Sequence, residues 1–187
     1  MIEILGLSGS LRAGSFNSAL LRAATELAPA GARIDHASIR DIPLYDGDVE
    51  RDGIPKSVLA LKERVVTSDA LLIATPEYNN SIPGVAKNVI DWLSRPVSDI
   101  ARVFGGRVVG VIGASPSTRG TALAQSAWLP VLRVLGTRPW FGMPFYLPNA
   151  GKAFAADGRL VEESDRERLR KYVAGFVEYA ALMRRAS

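Results

Sequence analysis

Cysteine is absent from this chain, and histidine occurs once, at His36. The first absence excludes disulfides, thiolate catalysis and cysteine-ligated zinc or iron–sulfur centres. The second excludes histidine-based triads and zinc sites, and His36 itself, in a strand-like stretch, reads as a strand residue near the surface. Long apolar runs are also missing: none reaches the ~18 residues needed to span a bilayer. The amino terminus enters directly into a strand pattern with no basic leader. A soluble, cytoplasmic protein is the expectation. Charge of one sign is scarce too, at a net +4 with basic residues spread along the chain. Their densest group, Arg166, Arg168, Arg170 and Lys171, is interleaved with Asp165 and Glu167, as on a solvated helix face. Nucleic acid and membrane are therefore not expected partners, whereas anionic small molecules are. Asp41, Asp46 and Asp48 match no calcium-loop spacing and read as turn residues.

What is present is the composition of a soluble globular protein: 187 residues, 48% hydrophobic and 22% charged, with 17 Gly and 11 Pro clustered at turns. One domain over residues 1–187 is expected, large enough for a substantial core. Short apolar strands are predicted at 2–7, 33–39, 69–74, 107–113 and 137–141, with 145–147 as a candidate continuation of the last. Between them fall helical periodicities: Leu20, Leu21, Ala24 and Leu27; Val58, Leu61 and Val65; Val85, Val89, Trp92 and Leu93; and 121–135. Pro130 should kink or split the last of these near 126–129. Residues 94–106 read as a connection, and 154–160 as a loop turning at Asp157-Gly158. A capping-box pattern at Ser164 and Glu167 opens a long final helix. Strands alternating with helices give a doubly wound, five-stranded parallel sheet, order 2-1-3-4-5, with helices on both faces.

Three strands end in polar loops that this topology gathers at one edge, where open α/β sheets bind ligands. The most distinctive is Thr75-Pro76-Glu77-Tyr78-Asn79-Asn80-Ser81-Ile82-Pro83-Gly84, stiffened by two prolines. Tyr78 offers a flat face and Asn79, Asn80 and Ser81 offer neutral donors and acceptors, a surface for a flat heteroaromatic ring. The bland alternative is a rigid loop whose Tyr78 covers the core edge and whose Ser81 caps the next helix. The first strand runs into Ser8-Gly9-Ser10-Leu11-Arg12-Ala13-Gly14-Ser15-Phe16-Asn17-Ser18, with hydroxyls, free N–H groups and a guanidinium before a helix. A phosphate suits that place, although neither Gly-Lys-Ser/Thr nor a three-glycine dinucleotide pattern occurs. An ordinary helix capped by Ser15 or Ser18 is the alternative. The third loop is Ala114-Ser115-Pro116-Ser117-Thr118-Arg119-Gly120.

Taken together, Gly9-Ser10-Leu11-Arg12, Ser15-Phe16-Asn17, Pro76-Glu77-Tyr78-Asn79, Pro83-Gly84 and Ile90-Asp91-Trp92 resemble the NAD(P)H-dependent FMN reductase family. That flavodoxin-like group includes bacterial chromate, quinone and azo-dye reductases, and the similarity extends through Leu147-Pro148-Asn149-Ala150. The resemblance implies a flavodoxin-like fold with FMN as cofactor and NADPH or NADH as co-substrate. It implies that Ser10, Arg12, Ser15, Phe16 and Asn17 surround the FMN phosphate. Pro76, Glu77, Tyr78 and Asn79 would line the ring, mainly through backbone groups, and Ser115 would close its other side. It implies no catalytic side chain: hydride passes from NAD(P)H to the flavin N5, and a small-molecule acceptor (quinone, free flavin, azo compound or metal oxyanion) is then reduced in a ping-pong cycle. It also implies a homodimer or homotetramer, with Asn80, Trp92 and residues 94–106 as candidate interface positions. The rival readings are a flavodoxin-like FMN electron carrier, to which the basic charge is less suited, and an interaction module of the same fold.

Overall fold

The computed structural model describes residues 1–185. Five parallel strands follow the expected order: β1 (Ile2–Ser8), β2 (Ala32–Ala37), β3 (Ala70–Ala74) and β4 (Val108–Ala114), with β5 (Arg138–Pro139) at the far edge, giving β2-β1-β3-β4-β5. Alternation along the strands builds two cores, one on each face. Ile4, Leu72 and Ile112 pack under α1 (Phe16–Glu26) and the long carboxyl-terminal helix, whereas Leu5, Leu71 and Val109 face the opposite layer. That layer contains α3 (Lys56–Thr67), α4 (Gly84–Leu93) and α6 (Ala122–Val134). All five residues of β3 are buried, which is why that segment reads as unbroken apolar sequence.

Several expectations change. The second strand spans 32–37 rather than 33–39, and Ile39 is buried beyond its end. The acidic turn opens a short helix, α2 (Gly47–Asp52), because the Asp46 carboxylate accepts from Asp48 N at 2.8 Å and caps it. The 94–106 connection contains a 3₁₀ turn (Val97–Asp99) and α5 (Ile100–Phe104), whose Val103 and Phe104 are buried. The fifth strand is interrupted: β5 pairs with Val108 and Val109, and β6 (Phe145–Leu147) pairs with Ile112 to Ala114. The register shifts by three residues between them, so 140–144 bulges out of the sheet edge. Pro130 does not split α6; it is exposed, and the carbonyl it leaves unpaired belongs to Ser126, also on the exposed face.

Beyond β6 a short α7 (Ala150–Ala153) leads to a paired loop, with Phe154 bridging Leu160 around Gly158 at φ 85°. The final helix, α8 (Glu163–Arg185), starts with the Glu162 carbonyl accepting from Asp165 N and Arg166 N. Ser164 is already inside it and Glu167 pairs with Arg170 and Lys171, so the capping box is not formed. The basic residues of its first turns are matched to acids one turn away, Arg166 to Glu163 and Arg168 to Asp165. His36 lies on β2 with Nε2 at 2.7 Å from Thr25 Oγ1.

One buried charge fastens the far layer. Lys62 of α3 is fully enclosed, its ammonium donating to the Arg95 carbonyl and, at 2.8 Å, to Asp99 Oδ2. That hydrogen bond, and then the lysine's charge, hold the Asp99 carboxyl below the usual carboxylate range against its own desolvation. A carboxyl whose folded pKa is lowered stabilises the fold above its unfolded pKa, and that contribution is lost as pH falls through the folded value. Asp99→Asn should therefore lower the urea midpoint at neutral pH, with the deficit closing in buffers below the usual carboxylate range. A deficit unchanged into acid would show that the pair is not what the substitution removed.

Candidate functional site

The carboxyl ends of β1, β3 and β4 meet at one groove, and each supplies a loop. From the first, Ser10, Arg12, Ser15, Phe16 and Asn17 line it; from the second, Pro76, Glu77 and Tyr78; from the third, Ala114, Ser115 and Pro116. The groove, open to solvent on one side, offers a space of about 330 Å³. Of the residues expected to form the site, Asn79 alone stays outside this lining.

The first loop is tied down by Gly9 N, which donates to the Ala74 carbonyl at 2.9 Å, and by a 2.8 Å bond between the Ser8 and Ser18 hydroxyls. Ser15 is the cap of α1, accepting from Ser18 N at 3.2 Å. Ser15 thus caps the helix and also lines the groove. Among the described residues the N–H groups of Phe16 and Asn17 have no protein acceptor, as the first turn of a helix leaves them. The Arg12 guanidinium has no carboxylate within ion-pair distance among the described residues. Orphan donors, a helix dipole and an unpaired cation fit a phosphate.

Asn17 plays a part that its position in the sequence does not announce. Its side chain is buried and engaged at both ends by one residue of β4: Nδ2 donates to the Ala114 carbonyl at 2.8 Å, and Oδ1 accepts from Ala114 N at 2.9 Å. What Asn17 offers a phosphate is its backbone N–H; the amide joins two walls of the groove.

The second loop is held from behind. Thr75 is fully buried; its hydroxyl donates to the Pro76 carbonyl at 2.9 Å and accepts from Trp128 Nε1 at 3.1 Å. The Glu77 carboxylate turns to α6, accepting from Leu123 N at 2.8 Å and Ala124 N at 3.0 Å. It therefore satisfies orphan donors of that helix and complements its dipole, leaving the loop's backbone and Tyr78 to face the groove. Tyr78 and Ser81 exchange backbone bonds of 3.1 and 3.0 Å around Asn79 at φ 51° and Asn80 at φ 60°. This is a two-residue hairpin of the type that requires two left-handed residues, and Asn tolerates that conformation. The turn explains Asn79: it occupies the tip, while Tyr78 at its base lines the groove. It also corrects Ser81, which closes the hairpin; α4 is preceded by Pro83 with no side-chain cap.

The third loop is braced by its own hydroxyls and by the segment after β6. Ser115 Oγ lies 3.2 Å from Ser117 Oγ, and the Ser115 and Ser117 carbonyls accept from Ala150 N and Asn149 N, each at 3.0 Å. Ala114 and Pro116 line the groove beside Ser115 as its neighbours; sequence reasoning missed Thr75, Trp128 and the Asn17 clamp as supports. Trp128 shows a signal only as an apolar position on the helix face turned to the sheet. Among the expected interface positions, Trp92 is corrected outright, being completely buried with its indole N–H donating to the Pro43 carbonyl at 2.9 Å.

A doubly wound parallel sheet whose β1, β3 and β4 loops share one groove at its carboxyl edge is the architecture of flavodoxin-like proteins. Residues 2–152 match the model of the NADPH-dependent FMN reductase family, and the chain belongs to that family. Similar proteins include an NAD(P)H-dependent FMN reductase of Pseudomonas aeruginosa, 45% identical with 89% of this chain and 88% of that protein covered. A 2-hydroxy-1,4-benzoquinone reductase of Burkholderia sp is 38% identical, with 98% and 97% covered. Among solved structures, the flavoenzyme NAD(P)H:(acceptor) oxidoreductase FerB of Paracoccus denitrificans superposes with a TM-score of 0.88 at 36% identity, covering 98% of this chain and 99% of that one. Among the described residues no helix is long and apolar enough to cross a membrane.

Proposed function

We propose that this protein is an FMN-containing reductase that takes electrons from NADPH or NADH and delivers them to a quinone or free flavin, acting in the cytoplasm. The observation that carries this reading is the convergence, in one groove, of an anion cradle at α1 with a flat-sided slot at 76–78. Bound FMN supplies the redox chemistry, accepting hydride from the nicotinamide and passing electrons on, which the side chains of this chain are not equipped to do.

The protein's part is to bind, orient and exclude. Arg12, the Ser10 and Ser15 hydroxyls and the free N–H groups of Phe16 and Asn17 would hold the phosphate. Pro76, Glu77 and Tyr78 would border the ring, with Ser115 on the opposite wall. Fixing this loop through Thr75, Trp128 and Glu77 means that the slot is shaped before the ligand arrives, which lowers the ordering cost of binding. We further propose a homodimer or homotetramer. Leu129 of α6 at 44% exposure and Phe141 of the bulge at 69% supply apolar surface for a second copy.

The test is an absorbance spectrum of purified protein followed by anaerobic titration with each nucleotide. A yellow protein bleached by NADPH or NADH is expected. A yellow protein inert to both would make it an electron carrier, and a protein that takes up no FMN would sink the reading.

A further inference from the structure

On the other side of the 10–12 loop lies a second cleft, between α1 and the end of β2, lined by Ser10, Arg12, Arg22, His36, Ser38 and Arg40 among others. Its space is about 810 Å³, and no carboxylate lines it. Some arginines elsewhere stand against acids, such as Arg33 on Glu3, Arg64 on Asp35, Arg102 on Glu63 and Arg184 on Asp69. Among the described residues Arg12, Arg22 and Arg40 have no such partner. The acid nearest in sequence to His36 is taken, because Arg64 holds Asp35 at 2.8 Å. Arg40 is also fixed in place: its Nη2 donates to the Leu11 carbonyl at 2.5 Å, which leaves the other guanidinium donors free beside the loop.

With Arg12 and Ser10 committed to the flavin phosphate, Arg22 and Arg40 give this cleft two guanidinium groups and no carboxylate among its described lining residues, a positive field that draws an anion. Their planar donor forks and the Ser38 hydroxyl match the oxygens of a phosphate better than those of a monoanion. We propose that this cleft is a second oxyanion site, distinct from the flavin-phosphate cradle, for a phosphomonoester-type dianion. Residues 10–12 form the wall between the two sites, so an anion bound here sits one loop away from the flavin groove. The dianion has two sources of the same chemistry. One is the 2′-phosphate of NADPH, which rests on the reading of function given above; the other is a free inorganic oxyanion, which does not.

The experiment compares FMN-loaded wild type with Arg22→Gln/Arg40→Gln, neither residue lining the flavin groove. Arg22→Gln alone breaks no hydrogen bond and serves where the double variant folds poorly. Calorimetric titrations use 2′,5′-ADP, 5′-ADP and inorganic phosphate. If the nucleotide brings the dianion, 2′,5′-ADP binds wild type about tenfold tighter than 5′-ADP, and the variant loses that advantage. The KM for NADPH then rises by a similar factor, while kcat and the KM for NADH hold. If the source is free, the two nucleotides bind alike, inorganic phosphate binds wild type, and the variant loses the phosphate. Equal binding of all three ligands to both proteins, or binding of none, overturns the site. A failed functional reading shows itself separately, as absence of FMN uptake or of bleaching by either nucleotide; the cleft is then decided by phosphate titration of wild-type against variant apoprotein, since the α1 groove is the same in both and only the Arg22 and Arg40 contribution differs.

Discussion

Alanine in place of Gly113 is expected to destabilise the protein by about 4 kcal/mol, beyond the usual range for a single added methyl group. A Cβ at this position of β4 would lie 1.8 Å from Thr121 Oγ1, 2.8 Å from Thr121 Cβ and 2.6 Å from the Thr75 carbonyl oxygen. Thr121 and Thr75 are both fully buried, so neither has solvent to retreat into. The hydroxyl could rotate, at the loss of its 3.1 Å bond from Gln125 Nε2. The carbonyl is backbone at the end of β3 and has no such escape; relief requires β3 and β4 to separate. For a chain of this size the melting temperature should drop by roughly 8–16 °C. Because Thr75 also holds the Pro76 carbonyl, FMN affinity should fall with it. The pair Gly113→Ala with Thr121→Ala relieves the Oγ1 contact but keeps the Thr121 Cβ at 2.8 Å and the Thr75 carbonyl at 2.6 Å, so it should recover only part of the loss. A single variant melting within a degree or two of wild type would mean that β4 and the start of α6 do not pack this closely.

Such a position shows what the sequence does and does not disclose. The run 70–74 announces a strand covered on both faces because every residue of it is apolar, and polar loops after three such runs fall at one edge by topology alone. Groove residues 10–17 and 76–78 were legible for that reason, along with the sheet order. Partners far apart along the chain were not. Lys62 looks like an ordinary charged helix residue until Arg95 and Asp99 are folded against it. Glu77 is placed at the ring through its backbone, and nothing in its sequence position says that its carboxylate accepts from the Leu123 and Ala124 N–H groups of α6. The short helices α2 and α5 escape periodicity because neither is long enough to show one; a single Asp46 cap and the buried pair Val103 and Phe104 hold them. At Ser164 the local pattern misleads in the opposite sense, since the helix begins one residue earlier on the Glu162 carbonyl.

Asn17→Leu should cost about 3 kcal/mol of stability and weaken FMN binding by at least about tenfold, although the substitution keeps the branched shape of the side chain and removes no surface charge. The amide spans α1 and β4, and both of its bonds end on the backbone of Ala114. Ala114 is itself buried, so its N–H and C=O would be left without partners and without water. Two orphaned backbone groups account for the stability loss; the affinity loss follows because this clamp sets the distance between the phosphate loop and the Ser115 wall. Asn17→Asp tests the donor alone. It keeps an acceptor for Ala114 N but faces the Ala114 carbonyl with a carboxylate oxygen, which raises the new carboxyl's folded pKa above its unfolded value. A group raised in this way favours the fold below its unfolded pKa and loses that contribution as pH rises through the folded value. The Asp variant should therefore approach wild type in acid, where a protonated oxygen can donate, and fall behind towards neutrality; the Leu variant should show no such recovery. Apoprotein titrated with FMN and followed by quenching of flavin fluorescence gives the affinities, and thermal melts across pH give the stabilities. If the Leu variant binds FMN as tightly as wild type, the clamp does not govern the groove.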